Sequence, residues 1–427
     1  MLLPGDPAPF FQAASTINPR FRFDTAAGRY VVISFFGSSQ VPSSEQFLTE
    51  IVNRGDRFDV TNAVFFGVTN DPDDVARIKH QHPGRIYFYD LDLAISRKFG
   101  VVAESDATAG DDATVTVTRQ TFVLDHALRV VGIFSMRDQD DVPGQVERIL
   151  ALLDSMPKLA TLTAAAPVLI VPHVFEPDLC RRLIDYYDTV GGEDSGFMQD
   201  VGGKTVGLLD YSHKRRMDCE ITDDGLIRAT QERILRRVVP AIRQAYQFDV
   251  TRIERHIVAC YDAAQGAHFR AHRDNTTLGT AHRRFAITIN LNSPEYEGGE
   301  IRFPEFGPRR YKAPSGAAIV FSCSLLHEVP RVTRGKRYAF LPFLYDDAAA
   351  ALRQRSSKYL GDLSGATGGR ATNVCAADAP AISEFAKVVI DGNPGCGNPQ
   401  GCQTCLSSPT YPLGIPAERS RDASQTG

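Results

Sequence analysis

The chain has 427 residues, enough for two or three domains, and its 43% hydrophobic and 23% charged residues suit a globular protein. Lys+Arg total 47 and Asp+Glu 51, a formal net charge of −4, which excludes a strongly basic chain built to coat nucleic acid or an anionic membrane. No apolar run approaches the ~20 residues of a bilayer span. The opening Met-Leu-Leu-Pro-Gly-Asp-Pro lacks the basic and apolar regions of a secretory signal, so the expected location is the cytoplasm.

Residues 1–157 alternate strand-like and helix-like segments, which argues for an α/β domain. Tyr30–Phe36 and Asn62–Val68 are continuous apolar runs, the pattern of strands buried on both faces. Ser43–Ile51 reads as a helix with Ser/Glu capping character, and Asp71–His80 as a short helix. Arg85–Tyr89 is strand-like. Thr121–Asp125 and Val130–Phe134 read as a hairpin, and Val142–Met156 as an amphipathic helix. His80 and His82 form a His-x-His without an evident third ligand, so a solvated face is expected there.

Residues 160–347 open with helical segments at Pro177–Val190 and Asp224–Phe248. Short strands then follow at Arg255–Tyr261, Arg284–Asn290, Glu300–Phe303, Ala317–Phe321 and Arg337–Leu344, which suggests a mainly β double-sheet jelly roll. Lys214–Arg216 is a basic run expected to be a solvated surface. Residues 348–427 are a Cys-containing extension rich in Ala, Ser, Gly and Pro, expected to be partly disordered.

All eight cysteines fall at or after Cys180. Cys180, Cys260 and Cys323 have apolar neighbours and read as buried thiols. Cys396, Cys402 and Cys405, with Cys375 upstream, are spaced like metal ligands, though C-x5-C-x2-C matches no standard zinc pattern. A zinc site, a redox pair at Cys402/Cys405 and free thiols all stay open.

Gly5-Asp-Pro-Ala-Pro-Phe10, the run Val31–Phe36 and Arg119-Gln-Thr-Phe-Val-Leu-Asp125 resemble a peroxiredoxin or thioredoxin-fold redoxin over about 150 residues. In that family a strand leads to a reactive cysteine at a helix start, where the helix N-terminus stabilises the thiolate. Here the loop is Gly37-Ser-Ser-Gln-Val-Pro-Ser-Ser-Glu45, with Gln40 and Ser43 about where a Cys-x-x-Cys pair would lie. Neither can form a thiolate, so thiol peroxidase chemistry from this domain is not expected. The resemblance places Arg119 beside the missing thiolate and leaves the domain as a scaffold or a surface for a protein partner.

The strongest chemical signal is His268-Phe-Arg-Ala-His272-Arg-Asp274-Asn275, then His327 53 residues after Asp274, then Arg337 ten residues further on. His272 and Asp274 are two apart, so on a strand or strand end they share a face. Two imidazoles and one carboxylate suit one face of an Fe(II) ion and leave positions open for a chelating cosubstrate and O₂. Arg337, on the next strand, suits a bidentate grip on a carboxylate. His268 and His282 read as supporting or surface residues, and Gly298-Gly299 as a tight turn or bulge.

Together with Val258-Ala-Cys-Tyr261, Arg284–Asn292, Tyr296–Phe303 and Pro314–Phe321, this set resembles the prolyl 4-hydroxylase-like branch of the Fe(II)/2-oxoglutarate-dependent dioxygenases over Val168–Tyr345. The resemblance implies a thioredoxin-like fold followed by a double-stranded β-helix. It implies Fe(II) on His272, Asp274 and His327, with 2-oxoglutarate bound by Arg337 and Tyr261. It further implies L-ascorbate as a cofactor and hydroxylation of a C–H bond in a peptide, protein or small-molecule substrate, a prolyl residue among them. Collagen-type members carry Lys where this chain has Arg337, which argues against a collagen-like substrate. Asp274 argues against a halogenase, which would need Gly or Ala there. The rival reading is a redoxin-fold binding or O₂/iron-sensing module without turnover. Neither nucleic acid nor a membrane is an expected partner.

Overall fold

The computed structural model describes residues 2–79, 82–103, 116–137 and 141–361. All of these lie in one compact unit, Met1–Phe385. His80, Cys375, Cys396, Cys402 and Cys405 lie outside the described residues.

The first part is built on a mixed sheet. Its strands run in the order Arg85–Tyr89, Ala63–Thr69, Tyr30–Gly37, Gln120–Leu124, Val130–Ser135. The first three are parallel, and the last two close the sheet as an antiparallel hairpin. The central strand shows why the sequence runs apolar without a break. Val31, Ile33 and Phe35 enter one core with Phe23, Phe66 and Phe99, while Val32 and Phe36 enter a second core on the opposite face. Side chains alternate across a strand, so covering both faces demands apolar residues at every position. Helices Pro42–Asn53 and Val142–Ser155 cover one face through Phe47, Ile51, Val146 and Ile149. This is the thioredoxin-like arrangement the sequence implies.

The helix expected over Ser43–Ile51 carries no side-chain cap. Val41 precedes it and Pro42 opens it, with the ring's fixed φ replacing a cap. The helix expected over Asp71–His80 shrinks to Asp74–Arg77.

The second part is a pair of antiparallel sheets. The larger runs Leu169–Val171, Ala318–Ser322, Phe285–Asn290, Lys336–Phe340, Ile257–Asp262, Met217–Glu220, Glu193–Asp194. The smaller runs Lys214–Arg215, His268–His272, His327–Val329, Ile301–Arg302, Arg310–Tyr311. Helix Pro177–Val190 packs Leu179, Cys180 and Leu183 into the core formed with the larger sheet.

Two expected elements are interrupted, each next to a proline. Asp224–Phe248 divides into Asp224–Arg233, a π-helical turn Ile234–Val238 and Val239–Tyr246. Pro240 has no N–H for the α-ladder, and the wider turn just ahead of it absorbs the mismatch. Arg337–Leu344 divides into Lys336–Phe340 and Phe343–Tyr345 around Pro342. Gly298 and Gly299 take φ of +73° and +68° at a register shift, so they form the bulge their sequence suggests. The C-terminal extension opens with a helix, Asp347–Ser356, capped by the Asp346 carboxylate.

Candidate metal centre and its cosubstrate pocket

Two strands of the smaller sheet bring the ligand set together. His272 and His327 are direct cross-strand partners. Asp274 falls at the strand end rather than on the strand itself, the second of the two placements its spacing allows. The strand ends at His272, and Asp274 lies in the turn beyond it. Its amide donates to the Cys323 carbonyl at 3.0 Å, which fixes the turn against the segment leading to His327.

One ligand atom from each of His272, Asp274 and His327 lies within 4.8 Å of the others. Asp274 Oδ1 is 3.7 Å from His272 Nε2, and Oδ2 is 3.5 Å from His327 Nε2. Both imidazoles are oriented alike. His272 Nδ1 donates to the Arg270 carbonyl at 2.7 Å, and His327 Nδ1 donates to the Leu325 carbonyl at 3.0 Å. Each backbone bond fixes the tautomer that leaves Nε2 unprotonated and aimed at the shared centre. Burial, followed by the neighbouring His327, pushes the His272 pKa well below its ordinary value, so the ring is held in its neutral, metal-binding form. Phe269 stacks on His272 with ring centroids 3.5 Å apart.

Arg337 and Tyr261 sit on the facing sheet as register partners. Arg337 is 3% exposed. Its Nη2 donates to Thr288 Oγ1 at 3.0 Å and to Asn290 Oδ1 at 3.3 Å, while Nε and Nη1 are buried without a partner. Among the described residues no carboxylate pairs with it. Two orphaned donors on a buried guanidinium are costly unless an anion fills the space, so the residue fits a ligand carboxylate. Tyr261 lies under that guanidinium at 5.2 Å, and its hydroxyl accepts a 3.4 Å bond from Arg216.

The basic run Lys214–Arg216 was expected on the surface, but its ends are buried. Lys214 and Arg216 are 5% and 6% exposed, and only Arg215 between them faces out, since strand residues alternate. Arg216 is clamped by Asp218, while Lys214 Nζ donates to Ser195 Oγ and the Gly196 carbonyl, each at 2.6 Å. Burial, followed by the nearby Arg216 charge, pushes the Lys214 pKa well below its ordinary value. Composition could not separate this run from a solvated one. Alternation gave no signal either, since it groups Met217 and Cys219 with exposed Arg215 rather than with Lys214 and Arg216.

His282 and His268 do not join the ligand set. His282 donates to buried Glu254 at 2.6 Å, and Arg283 pairs with the same carboxylate at 2.7 Å. His268 bonds the Gly266 carbonyl at 2.9 Å. The thiols of Cys180, Cys219, Cys260 and Cys323 are free and buried. Burial raises the Cys180 and Cys260 thiols to about 11, which leaves them inert.

In the first part, the helix start where a reactive cysteine would lie is held by an arginine from the segment before strand Gln120–Leu124. Arg119 Nη1 donates to Ser43 Oγ at 2.5 Å and to Ser44 Oγ at 3.3 Å. Gln40 is exposed there.

Residues 4–133 match the AhpC/TSA family, and residues 256–345 match the 2OG-Fe(II) oxygenase superfamily. The chain joins an AhpC/TSA redoxin domain to a 2OG-Fe(II) oxygenase domain. A PKHD-type hydroxylase of Synechococcus sp. (strain JA-2-3B'a(2-13)) is 37% identical over 89 residues, covering 19% of this chain and 39% of that protein. Another, of Shewanella frigidimarina (strain NCIMB 400), is 42% identical over 72 residues, covering 16% and 32%. The chain thus spans about two fifths or less of the length of these relatives. Among solved structures, peroxidoxin BcpB of Mycobacterium tuberculosis is 18% identical with a TM-score of 0.30, covering 37% of this chain and all of that one. The viral collagen prolyl hydroxylase of Paramecium Bursaria Chlorella virus-1 is 16% identical with a TM-score of 0.31, covering 42% and 96%.

Among the described residues no helix is long and apolar enough to cross a membrane.

Proposed function

We propose that the oxygenase domain is an Fe(II)- and 2-oxoglutarate-dependent dioxygenase that hydroxylates a C–H bond while 2-oxoglutarate is decarboxylated to succinate. The observation that carries this reading is the pairing of a converging His272/Asp274/His327 set with a buried Arg337 that has donors to spare. The ligand residues would hold Fe(II) through two neutral Nε2 atoms and one carboxylate. When bound, iron supplies the O₂-dependent oxidation.

The chain's own residues hold and orient. Arg337 binds the far carboxylate of 2-oxoglutarate from the opposite sheet, and Thr288 and Asn290 fix the guanidinium's direction. Tyr261 packs against that guanidinium. Phe269, Tyr261 and Tyr296 belong to one apolar cluster beside the site, which limits water. The hydroxylated group is a prolyl or other residue of a peptide or protein, the class that the resemblance to the prolyl 4-hydroxylase-like branch implies. L-ascorbate is the expected reductant, and the cytoplasm, which suits buried free thiols, the expected location.

The test is succinate formation from 2-oxoglutarate with added Fe(II). Wild type forms succinate, and Asp274→Ala loses at least ~100-fold, since losing a ligand exceeds the 10–100-fold cost of losing a ligand's supporting partner. Equal turnover by both proteins would refute the ligand assignment. Wild type that binds iron and 2-oxoglutarate but forms no succinate would favour a sensing module.

A further inference from the structure

We infer that the AhpC/TSA domain is a structural wall of the metal centre, and that Asp24 and Leu326 are positioning residues for its ligands. The inference rests on the ligand assignment above.

Its basis is strand alternation. Ligand side chains point inward from the smaller sheet, so their chain neighbours point to its outer face. That face is covered by the AhpC/TSA domain. Leu326, next to His327, is 0% exposed and belongs to the AhpC/TSA core with Phe11, Phe23 and Phe88. Ala271, next to His272, packs against the same core.

Arg273, between His272 and Asp274, completes the set. Its Nε donates to Asp24 at 3.0 Å, its Nη2 to Glu305 at 2.7 Å, and its Nη1 to the Ser324 carbonyl. It also lies over the Phe10 ring at 4.9 Å. The ion pair is almost wholly desolvated, with 7% of the Arg273 side chain and 3% of Asp24 exposed. Arg22 pairs with Asp24 from the same domain at 3.0 Å and reaches Thr276 just past the ligand turn. The contact is close throughout: a β-carbon on Gly28 would lie 2.5 Å from Pro304 Cβ. Each ligand therefore has at least one neighbour seated on the other domain. A redoxin fold without a thiol has a use here: it fixes the spacing of three ligand atoms held on a short strand pair and a turn.

The experiment titrates the full-length chain with Co(II), then with 2-oxoglutarate at saturating metal. Asp24→Asn weakens Co(II) binding about tenfold, the low end of the cost of losing a partner that orients a metal ligand. Leu326→Ala, which acts on the other ligand strand without touching the ion pair, weakens it by a similar factor and alters the Co(II) ligand-field spectrum. The 2-oxoglutarate affinity, set at Arg337 on the far sheet, stays within about twofold of wild type. Asp74→Asn removes an equally buried AhpC/TSA carboxylate, bonded to Ser39 and Thr69, and leaves Co(II) binding unchanged. Unchanged Co(II) binding in both Asp24→Asn and Leu326→Ala overturns the inference. So does an equal loss in Asp74→Asn, which would show general destabilisation. Wild type that binds no Co(II) would refute the ligand assignment itself, and the inference with it.

Discussion

Each domain holds an arginine where its fold family does chemistry, and the two are treated differently. Arg119 in the AhpC/TSA domain donates to the hydroxyls of Ser43 and Ser44, in the first turn of helix Pro42–Asn53. Arg337 in the oxygenase domain is more deeply buried, yet Nε and Nη1 have no partner. The same contrast extends to the carboxylates. Asp74 beside the emptied loop is bonded to Ser39 and Thr69, whereas Asp274 faces two imidazoles across gaps of 3.5 and 3.7 Å. A polar cluster that satisfies itself behaves as structure. One that leaves buried donors and acceptors aimed at a common space awaits a ligand. The comparison turns an absence in the sequence, the missing cysteine, into a physical difference between two sites.

The largest effect tests whether mutually paired charge inside the oxygenase domain is also structure. Glu254, His282 and Arg283 form a buried cluster away from the ligand atoms. Glu254→Ala removes the buried carboxylate that His282 and Arg283 both bond and should cost about 3–5 kcal/mol in urea unfolding, with Co(II) affinity unchanged in the folded protein. A large fall in Co(II) affinity with little loss of stability would break the distinction.

Next is Arg337→Ala. It removes the open donors and should raise the KM for 2-oxoglutarate about 100-fold, which corresponds to about 2.7 kcal/mol. Thermal stability should fall little, because the wild-type residue carries unsatisfied donors. A stability loss as large as that of Glu254→Ala, with unchanged KM, would make Arg337 structural.

How legible the molecule was in its sequence depends on the distance over which each contact acts. The central strands announced themselves because two buried faces require an unbroken apolar run, as in Tyr30–Gly37. The candidate metal group was legible because Asp274 stands two residues after His272, whose cross-strand partner His327 lies within a short, strand-rich stretch. Pro240 and Pro342 stood in the sequence, yet apolar periodicity on either side concealed the breaks they mark. The burial of Lys214 and Arg216 was hidden because a basic run has the same composition on either side of a sheet. The Asp24–Arg273 contact spans 249 residues and two domains, and no local pattern encodes it.

A smaller effect concerns pH. Burial lowers the pKa of His256 from 6.5 to about 4. The folded state therefore holds this ring neutral while the unfolded chain protonates it. Its stabilisation is complete above about pH 6.5 and is lost as pH falls toward 4. The span corresponds to roughly 3 kcal/mol at 1.36 kcal/mol per unit, and partial exposure reduces it to about 1–2 kcal/mol. Urea unfolding at pH 7 and pH 5 should show the loss, and His256→Gln should reduce it. An identical pH dependence in that variant would remove His256 as the cause.

The smallest effect returns to the starting pair. Arg119→Ala should cost about 1 kcal/mol of stability through two lost hydrogen bonds, with 2-oxoglutarate turnover unchanged. Loss of turnover in that variant, with its fold intact, would show that the emptied loop still serves the chemistry.

The most direct test of the central claim is anaerobic. Fe(II) and then 2-oxoglutarate are added to the full-length protein, and the visible absorbance of an iron-chelated keto acid is followed. The account predicts a band in wild type that is absent in His272→Ala and requires far more 2-oxoglutarate in Arg337→Ala. Folded wild-type protein that shows no band at saturating Fe(II) and 2-oxoglutarate would contradict it.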